Sequence, residues 1–231
     1  MSITLFGTCR LNRISNHNNL NNLINYPHST KEIIQFIKFL KNELIIPSPY
    51  NKVCFRSGIY NDEFIDYNEY YNKIFLDTQL FIIEICSRKK YIHNNFYLHH
   101  LCVDKRFLEY NKNTPLEILD NYKIEQQSDE EIESDVLEIK KILHPKEIII
   151  ISHYDSKKDN EYINSRHNLI NLLSIICEKY NITFINPSSI LSSYSQDQVI
   201  STNLGHYSDF GIDKFSDYIN NFLKNKYEIY K

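Results

Sequence analysis

Four consecutive isoleucines, Ile148 to Ile151, held between Glu147 and Ser152, constrain the fold of this chain more than any other feature. A short, β-branched, wholly apolar run reads as a strand buried on both faces, and such strands belong to parallel sheets covered by helices on each side. The neighbouring pattern agrees. Ser128-Asp129-Glu130-Glu131 has the form of a capping box and opens a helix whose Ile132, Val136, Ile139 and Leu143 share one face, ended by His144-Pro145. After the isoleucines, residues 165–180 repeat the pattern with Leu169, Leu172, Leu173 and Ile176, and 182–185 form a short strand stopped by Asn186-Pro187. Further upstream, 80–86 is a second near-continuous apolar run, read as a central strand, and 3–6 is a third. Strands alternating with helices give an α/β fold: a three-layer α/β/α sandwich on a central parallel sheet of about five strands, with function at the carboxyl ends of the strands.

The remaining segments are assigned by the same rules. Ser29-Thr30-Lys31-Glu32 caps a helix on Ile33, Ile34, Ile37 and Leu40; 52–56 reads as a short strand ending at Ser57-Gly58; 62–76 has a mostly helical, aromatic pattern; and Ile212, Phe215, Ile219 and Phe222 line a C-terminal helix. The stretch 11–24 is left open between a short helix and a polar loop. Residues 91–127 are irregular and aromatic, an excursion from the core in the form of a small hairpin or lid. We expect one domain over 1–231.

Composition narrows the classes of function. Of 231 residues 24% are charged, with a formal net charge of -3, so there is no broad basic footprint for nucleic acid. No apolar run approaches a bilayer-spanning length and no signal-peptide pattern opens the chain, so a cytoplasmic, intracellular protein without a membrane partner is expected. Five cysteines, none in a C-x-x-C pair, argue for reduced thiols rather than a disulfide framework or zinc knuckle. His93, His99, His100 and Cys102 match no familiar ligand spacing, and no metal is assigned. Alanine is absent and Asn, Ile, Lys and Tyr abound, as an AT-rich coding sequence would give, which makes the four glycines informative: Gly7, Gly58, Gly205 and Gly211 each stand where the backbone requires one.

Two stretches carry chemistry. Ile3 to Phe6 stops at Gly7 and delivers Cys9 two residues later, at a strand-to-helix corner where free N–H groups and a positive dipole end favour a thiolate. Read from this stretch alone, Cys9 is better taken as one more small buried hydrophobe. The second stretch is Thr202 to Gly211, in which Asn203 precedes His206 by three residues and Gly211 follows by five, leading into the last helix. His153, at the end of the isoleucine strand, is read equally as functional or as a satisfied structural histidine. Asp197 and Asp209 stand in reserve as orienting acids.

These blocks resemble the SGNH or GDSL hydrolase superfamily. Gly7-Thr8-Cys9 is similar to its opening Gly-Asp-Ser, with Cys9 in place of the serine, and Asn203-x-x-His206 to its closing Asp-x-x-His. The Gly-x-Cys form is closest in style to GSCFA-type relatives and to capsule-biosynthesis proteins of the WcbI type. The resemblance implies Cys9 as nucleophile, His206 as base and Asn203 as the group that holds the imidazole in the right tautomer through its side-chain oxygen. It further implies Gly58 as an oxyanion-hole glycine, with Arg10 and His153 near the substrate. The third block, Gly-x-Asn-Asp, is replaced by Ser87-Arg88-Lys89-Lys90, so Ser87 or Arg88 would have to substitute for its asparagine. The function so implied is an ester hydrolase or acyltransferase that needs no cofactor and acts on a small-molecule or O-acylated carbohydrate ester. The alternatives are a silent module that binds an acyl carrier such as coenzyme A, and a structural or interaction protein on the same scaffold.

Overall fold

A computed structural model describes residues 2–18, 21, 22 and 24–227, with 15–18, 21 and 22 described by backbone alone. The strands in chain order are β1 (Ile3–Phe6), β2 (Asn21–Asn22), β3 (Leu80–Ile85), β4 (Lys89–His93), β5 (Phe96–Leu98), β6 (Lys123–Gln126), β7 (Glu147–Ser152), β8 (Lys157–Lys158), β9 (Glu161–Tyr162) and β10 (Thr183–Ile185). The principal helices are α1 (Cys9–Asn18), α2 (Thr30–Leu40), α3 (Tyr50–Val53), α4 (Arg56–Asn61), α5 (Glu69–Asp77), α6 (Asp129–Leu143), α7 (Asn164–Lys179) and α8 (Asp209–Tyr227). They fall into two compact units, one of Met1–Asn22, Gln79–Cys86 and Lys146–Lys231, the other of Leu23–Thr78 and Ser87–Pro145.

The first unit is built on a five-stranded sheet in the order β10-β7-β3-β1-β2, every pairing parallel. Its central strand is β3, buried along its whole length as the apolar run requires. The register Leu80↔Glu147 through Ile85↔Ser152 aligns it with the isoleucine strand. β1 lies beside it, one place in from the edge. On one face Leu5, Leu80, Ile82, Ile149 and Ile151 join Leu11 and Ile14 of α1 and Ile212, Phe215 and Ile219 of α8 in a single core. The alternate residues Phe6, Phe81, Ile83 and Ile150 are equally buried, and α7 runs along β7 and β10, which completes the α/β/α layering.

In the second unit both capping boxes do as their sequences predict. Ser29 accepts from the Glu32 N–H at the start of α2, and Ser128 and Glu131 cap α6 reciprocally. Thr30, Lys31 and Gln127 then tie α2 and α6 together through the buried carboxylate of Asp135. A three-stranded antiparallel sheet, β5-β4-β6, starts at Lys89 and runs through the 91–127 stretch, with β4 and β5 forming a hairpin. Two expectations fail here. The 52–56 strand is instead part of the short helices α3 and α4, and 62–68 is not helical. Val53, Cys54 and Phe55 are fully buried, so their strand-like side chains are satisfied by packing without a ladder. Among the described residues no helix is long and apolar enough to cross a membrane.

Candidate active site

β1 ends at Phe6, and α1 begins at Cys9 itself. Gly7 makes the corner possible, because a Cβ there would lie 2.9 Å from the side chain of Leu11 one turn on. Cys9 is exposed, whereas Cys54, Cys102 and Cys177 are buried and burial raises their thiol pKa values, that of Cys177 to about 12. The Cys9 sulfur lies 3.2 Å from Nε2 of His206. The two ends of the first unit's chain thus meet at the carboxyl edge of its sheet.

The corner is held by a carboxylate that the sequence reading passed over. Glu84 sits near the end of β3 and is buried, yet it accepts from the Thr8 backbone N–H at 2.8 Å, from the Thr8 hydroxyl at 2.5 Å and from Nε of Arg10 at 2.9 Å. A buried acid needs such a full set of donors. Arg10, shielded from solvent and paired to Glu84, donates its remaining reach to the carbonyl of Gly205 at 3.0 Å. Its guanidinium remains charged because Glu84 outweighs the desolvation. Arg166 and the Ser156 hydroxyl donate to the next carbonyl back, that of Leu204, which holds a left-handed φ of 55°. A leucine in that conformation costs about 1–2 kcal/mol unless its surroundings fix it. Two arginines therefore clamp the loop that carries His206. A single Glu inside the apolar run 80–86, with Arg10 beside the cysteine, was the available signal.

Asn203 is placed against His206, but not as expected. Its Oδ1 accepts from the Ser201 hydroxyl at 2.8 Å and from the backbone N–H groups of Gly205 at 2.8 Å and His206 at 3.1 Å. Two backbone donors fix the amide's orientation, since its NH2 could not accept from them. That NH2 then lies 3.0 Å from Nδ1 of His206, with Oδ1 at 3.4 Å. Nδ1 accepts, so the neutral ring carries its proton on Nε2 and donates toward the Cys9 sulfur. Burial, Arg10 and Arg13 lower the His206 pKa, partly offset by Glu84.

His153 follows β7, buried, with its Nδ1–H donated to the Tyr154 carbonyl at 2.9 Å; burial, Arg10 and Arg166 keep it neutral, well below its usual range. The other expected residues belong to the second unit. Gly58 lies within α4, and a Cβ there would meet the Lys52 carbonyl oxygen at 2.5 Å and that of Glu63 at 3.0 Å, so close packing accounts for the glycine. Ser87 donates its N–H to the His28 carbonyl and accepts at Oγ from Lys89 N–H. Arg88 pairs with Asp129 at 2.5 Å. Of the reserve acids, Asp209 pairs with Arg13.

A family model described as the TviD N-terminal domain matches residues 1–117 and 109–221. The Vi polysaccharide biosynthesis protein TviD of Salmonella typhi is 23% identical over 229 residues, covering 83% of this chain. The chain spans 27% of that relative's length. Similar solved structures include a GDSL-like lipase from Bacteroides thetaiotaomicron, 10% identical with a TM-score of 0.44, over 97% of this chain and 88% of that one. An aryl esterase of M. smegmatis is also 10% identical with a TM-score of 0.41, over 97% and 98%.

Proposed function

The chain belongs to the TviD N-terminal domain family, and from that premise we propose that it is an acyl-transfer enzyme of SGNH type, with Cys9 as nucleophile and a sugar hydroxyl or water as acceptor. The observation that carries this reading is the 3.2 Å approach of Cys9 Sγ to His206 Nε2 at the first residue of a helix. The positive end of α1 and the Nε2–H both favour the thiolate, whose proton goes to solvent. The thiolate adds to the acyl carbonyl, a C–S bond forms, and the tetrahedral intermediate collapses by losing the donor's leaving group. A thioester or aryl ester suits this step, because a thiolate or phenolate departs without needing a proton from His206. A hydroxyl then adds to the thioester carbonyl, giving its proton to His206, and the C–S bond breaks to return the Cys9 thiolate. That step needs Nε2 as a base, so the ring must carry its proton on Nδ1, facing Asn203. Deacylation is therefore the slow step. The name of the Salmonella relative refers to polysaccharide biosynthesis, which supports a carbohydrate acceptor.

A second reading, a module that binds an acyl carrier without turnover, is favoured by the polar groups of Ser87 and Arg88, which are already engaged elsewhere. One experiment separates the two. With p-nitrophenyl acetate, wild type should release a burst of phenol and gain one acetyl group on Cys9 by peptide mass mapping. Cys9→Ala and His206→Ala should each abolish turnover with an unchanged circular dichroism spectrum. Turnover that survives Cys9→Ala ends the nucleophile assignment. Absence of both adduct and turnover in wild type leaves the binding module in its place.

A further inference from the structure

The second unit holds a cluster of three imidazoles that acyl transfer does not use. His28 stands just before the Ser29 cap of α2, and His99 and His100 follow β5 at the start of a 3-10 turn. One ring nitrogen of each lies within 4.8 Å of the other two. The ring centroids of His28 and His100 are 4.3 Å apart, and those of His99 and His100 are 4.5 Å apart. His99 is 1% exposed. Its Nδ1 accepts from Leu101 N–H at 3.3 Å, and its buried Nε2 makes no close hydrogen bond, although a backbone group of Tyr26 acts on the ring. Packing alone gives no reason to bury an imidazole nitrogen in this way, where a phenyl ring would fill the space without the penalty.

The geometry points to a metal site in which His28, His99 and His100 bind Zn2+ or a similar imidazole-favouring dication, the remaining position being open to solvent. With Zn–N bonds of about 2.0–2.1 Å in a tetrahedron, ligand nitrogens sit about 3.3 Å apart, so the cluster has to contract. The half-buried His28 and His100 have room to do so. Two costs oppose binding. Ligation through Nε2 moves the His99 proton to Nδ1 and gives up the long contact with Leu101. The Arg56 charge, stacked 4.3 Å over Tyr26 and 4.9 Å over Tyr60, also repels an ion. The sequence reading grouped His93 and Cys102 with His99 and His100 and assigned no metal to them, without His28. His93 is taken by the Tyr50 hydroxyl at 2.7 Å, and the Cys102 thiol donates to the His99 carbonyl at 3.1 Å.

The test uses the full chain, stripped with chelator and titrated with Zn2+ and with Co2+. One equivalent should bind with micromolar or tighter affinity, and Co2+ should show the visible absorption of a low-coordinate site. At a hundred times Kd the unfolding midpoint should rise by roughly 5–10 °C. His28→Gln and His100→Gln should each weaken binding by at least about tenfold with native circular dichroism. Cys9→Ser should leave it intact, which separates this site from a Cys9–His206 chelate. Should His100→Gln fail to fold, the half-buried His28→Gln carries the result alone. No bound equivalent at micromolar metal, an equivalent indifferent to His28→Gln, or one lost in Cys9→Ser overturns the assignment.

Discussion

Replacing Asn203 by aspartate tests how the proposed catalytic pair is wired. In the wild type three donors occupy Oδ1 and leave the amide NH2 facing Nδ1 of His206 at 3.0 Å. A carboxylate keeps one oxygen for those donors and presents the second to Nδ1, which must then carry the ring's proton. The Nε2 lone pair is thereby turned toward the Cys9 sulfur. The new charge also lies about 4 Å from the centre of the imidazolium formed during deacylation, an interaction of about 1 kcal/mol in bulk water and about 4 kcal/mol at an effective dielectric constant of 20. His206 is exposed, so screening holds the gain to about 1–2 kcal/mol, or roughly 5- to 30-fold in rate. The assay is steady-state hydrolysis of p-nitrophenyl acetate at pH 8, after the burst, in which Asn203→Asp should exceed wild type while the burst amplitude stays at one acyl group. A steady-state rate equal to or below wild type in a folded variant would refute the tautomer argument.

Three other perturbations follow from the same structure. Arg13 lowers the His206 pKa after burial and Arg10, so Arg13→Gln should raise it and move the acid limb of kcat, which reports deacylation, to higher pH, since the base is lost as pH falls through its pKa. The rate on that limb should drop about 1.5- to 5-fold at low salt and the effect should fade at high salt; an unmoved limb contradicts it. Burial raises the Glu32 pKa from 4.5 to about 8, against hydrogen bonds from Ser29 and the His28 N–H. The folded state therefore holds a proton that the unfolded state releases, and stability falls as pH rises from about 4.5 to about 8, by about 5 kcal/mol in all. Glu32→Gln should remove this slope, so its midpoint relative to wild type should climb between pH 5 and pH 8; a constant offset rejects the burial argument. Glu84→Gln leaves Arg10 without its buried counter-charge and should destabilise the chain by about 3–5 kcal/mol in denaturant titration, whereas a loss under 1 kcal/mol would deny Glu84 its structural part.

Much of the parallel sheet was legible because its signal is local. Leu80 to Ile85 is apolar but for Glu84, and Ile148 to Ile151 is wholly so, as a strand buried on both faces is expected to be. The capping boxes at Ser29 and Ser128 were equally plain, since each satisfies its donors within four residues. The reading broke where long-range packing overrode pattern. Val53 to Phe55 look like a strand, yet they are buried where α3 passes into α4, and Gly58, free of a Cβ, lets α4 close on the Lys52 carbonyl. Cys9 and His206 were legible as types at suggestive spacings, whereas the direction of the Asn203 amide was not. That direction depends on two backbone N–H groups, those of Gly205 and His206, which the loop turns toward Oδ1.

The buried acid Glu84 explains why Cys9 and His206 keep register although 196 residues separate them in sequence. Through Thr8 it fixes the first turn of α1, and so the position of the Cys9 sulfur. Through Arg10 it reaches the Gly205 carbonyl, the residue next to His206. One carboxylate thus sets both ends of the 3.2 Å contact, and a change in its charge has to move both. With Arg10 held between Glu84 and the Gly205 carbonyl and the asparagine amide facing Nδ1, the proposed mechanism has a firmly placed base of reduced strength, which forms an acyl-thiol quickly and releases it slowly.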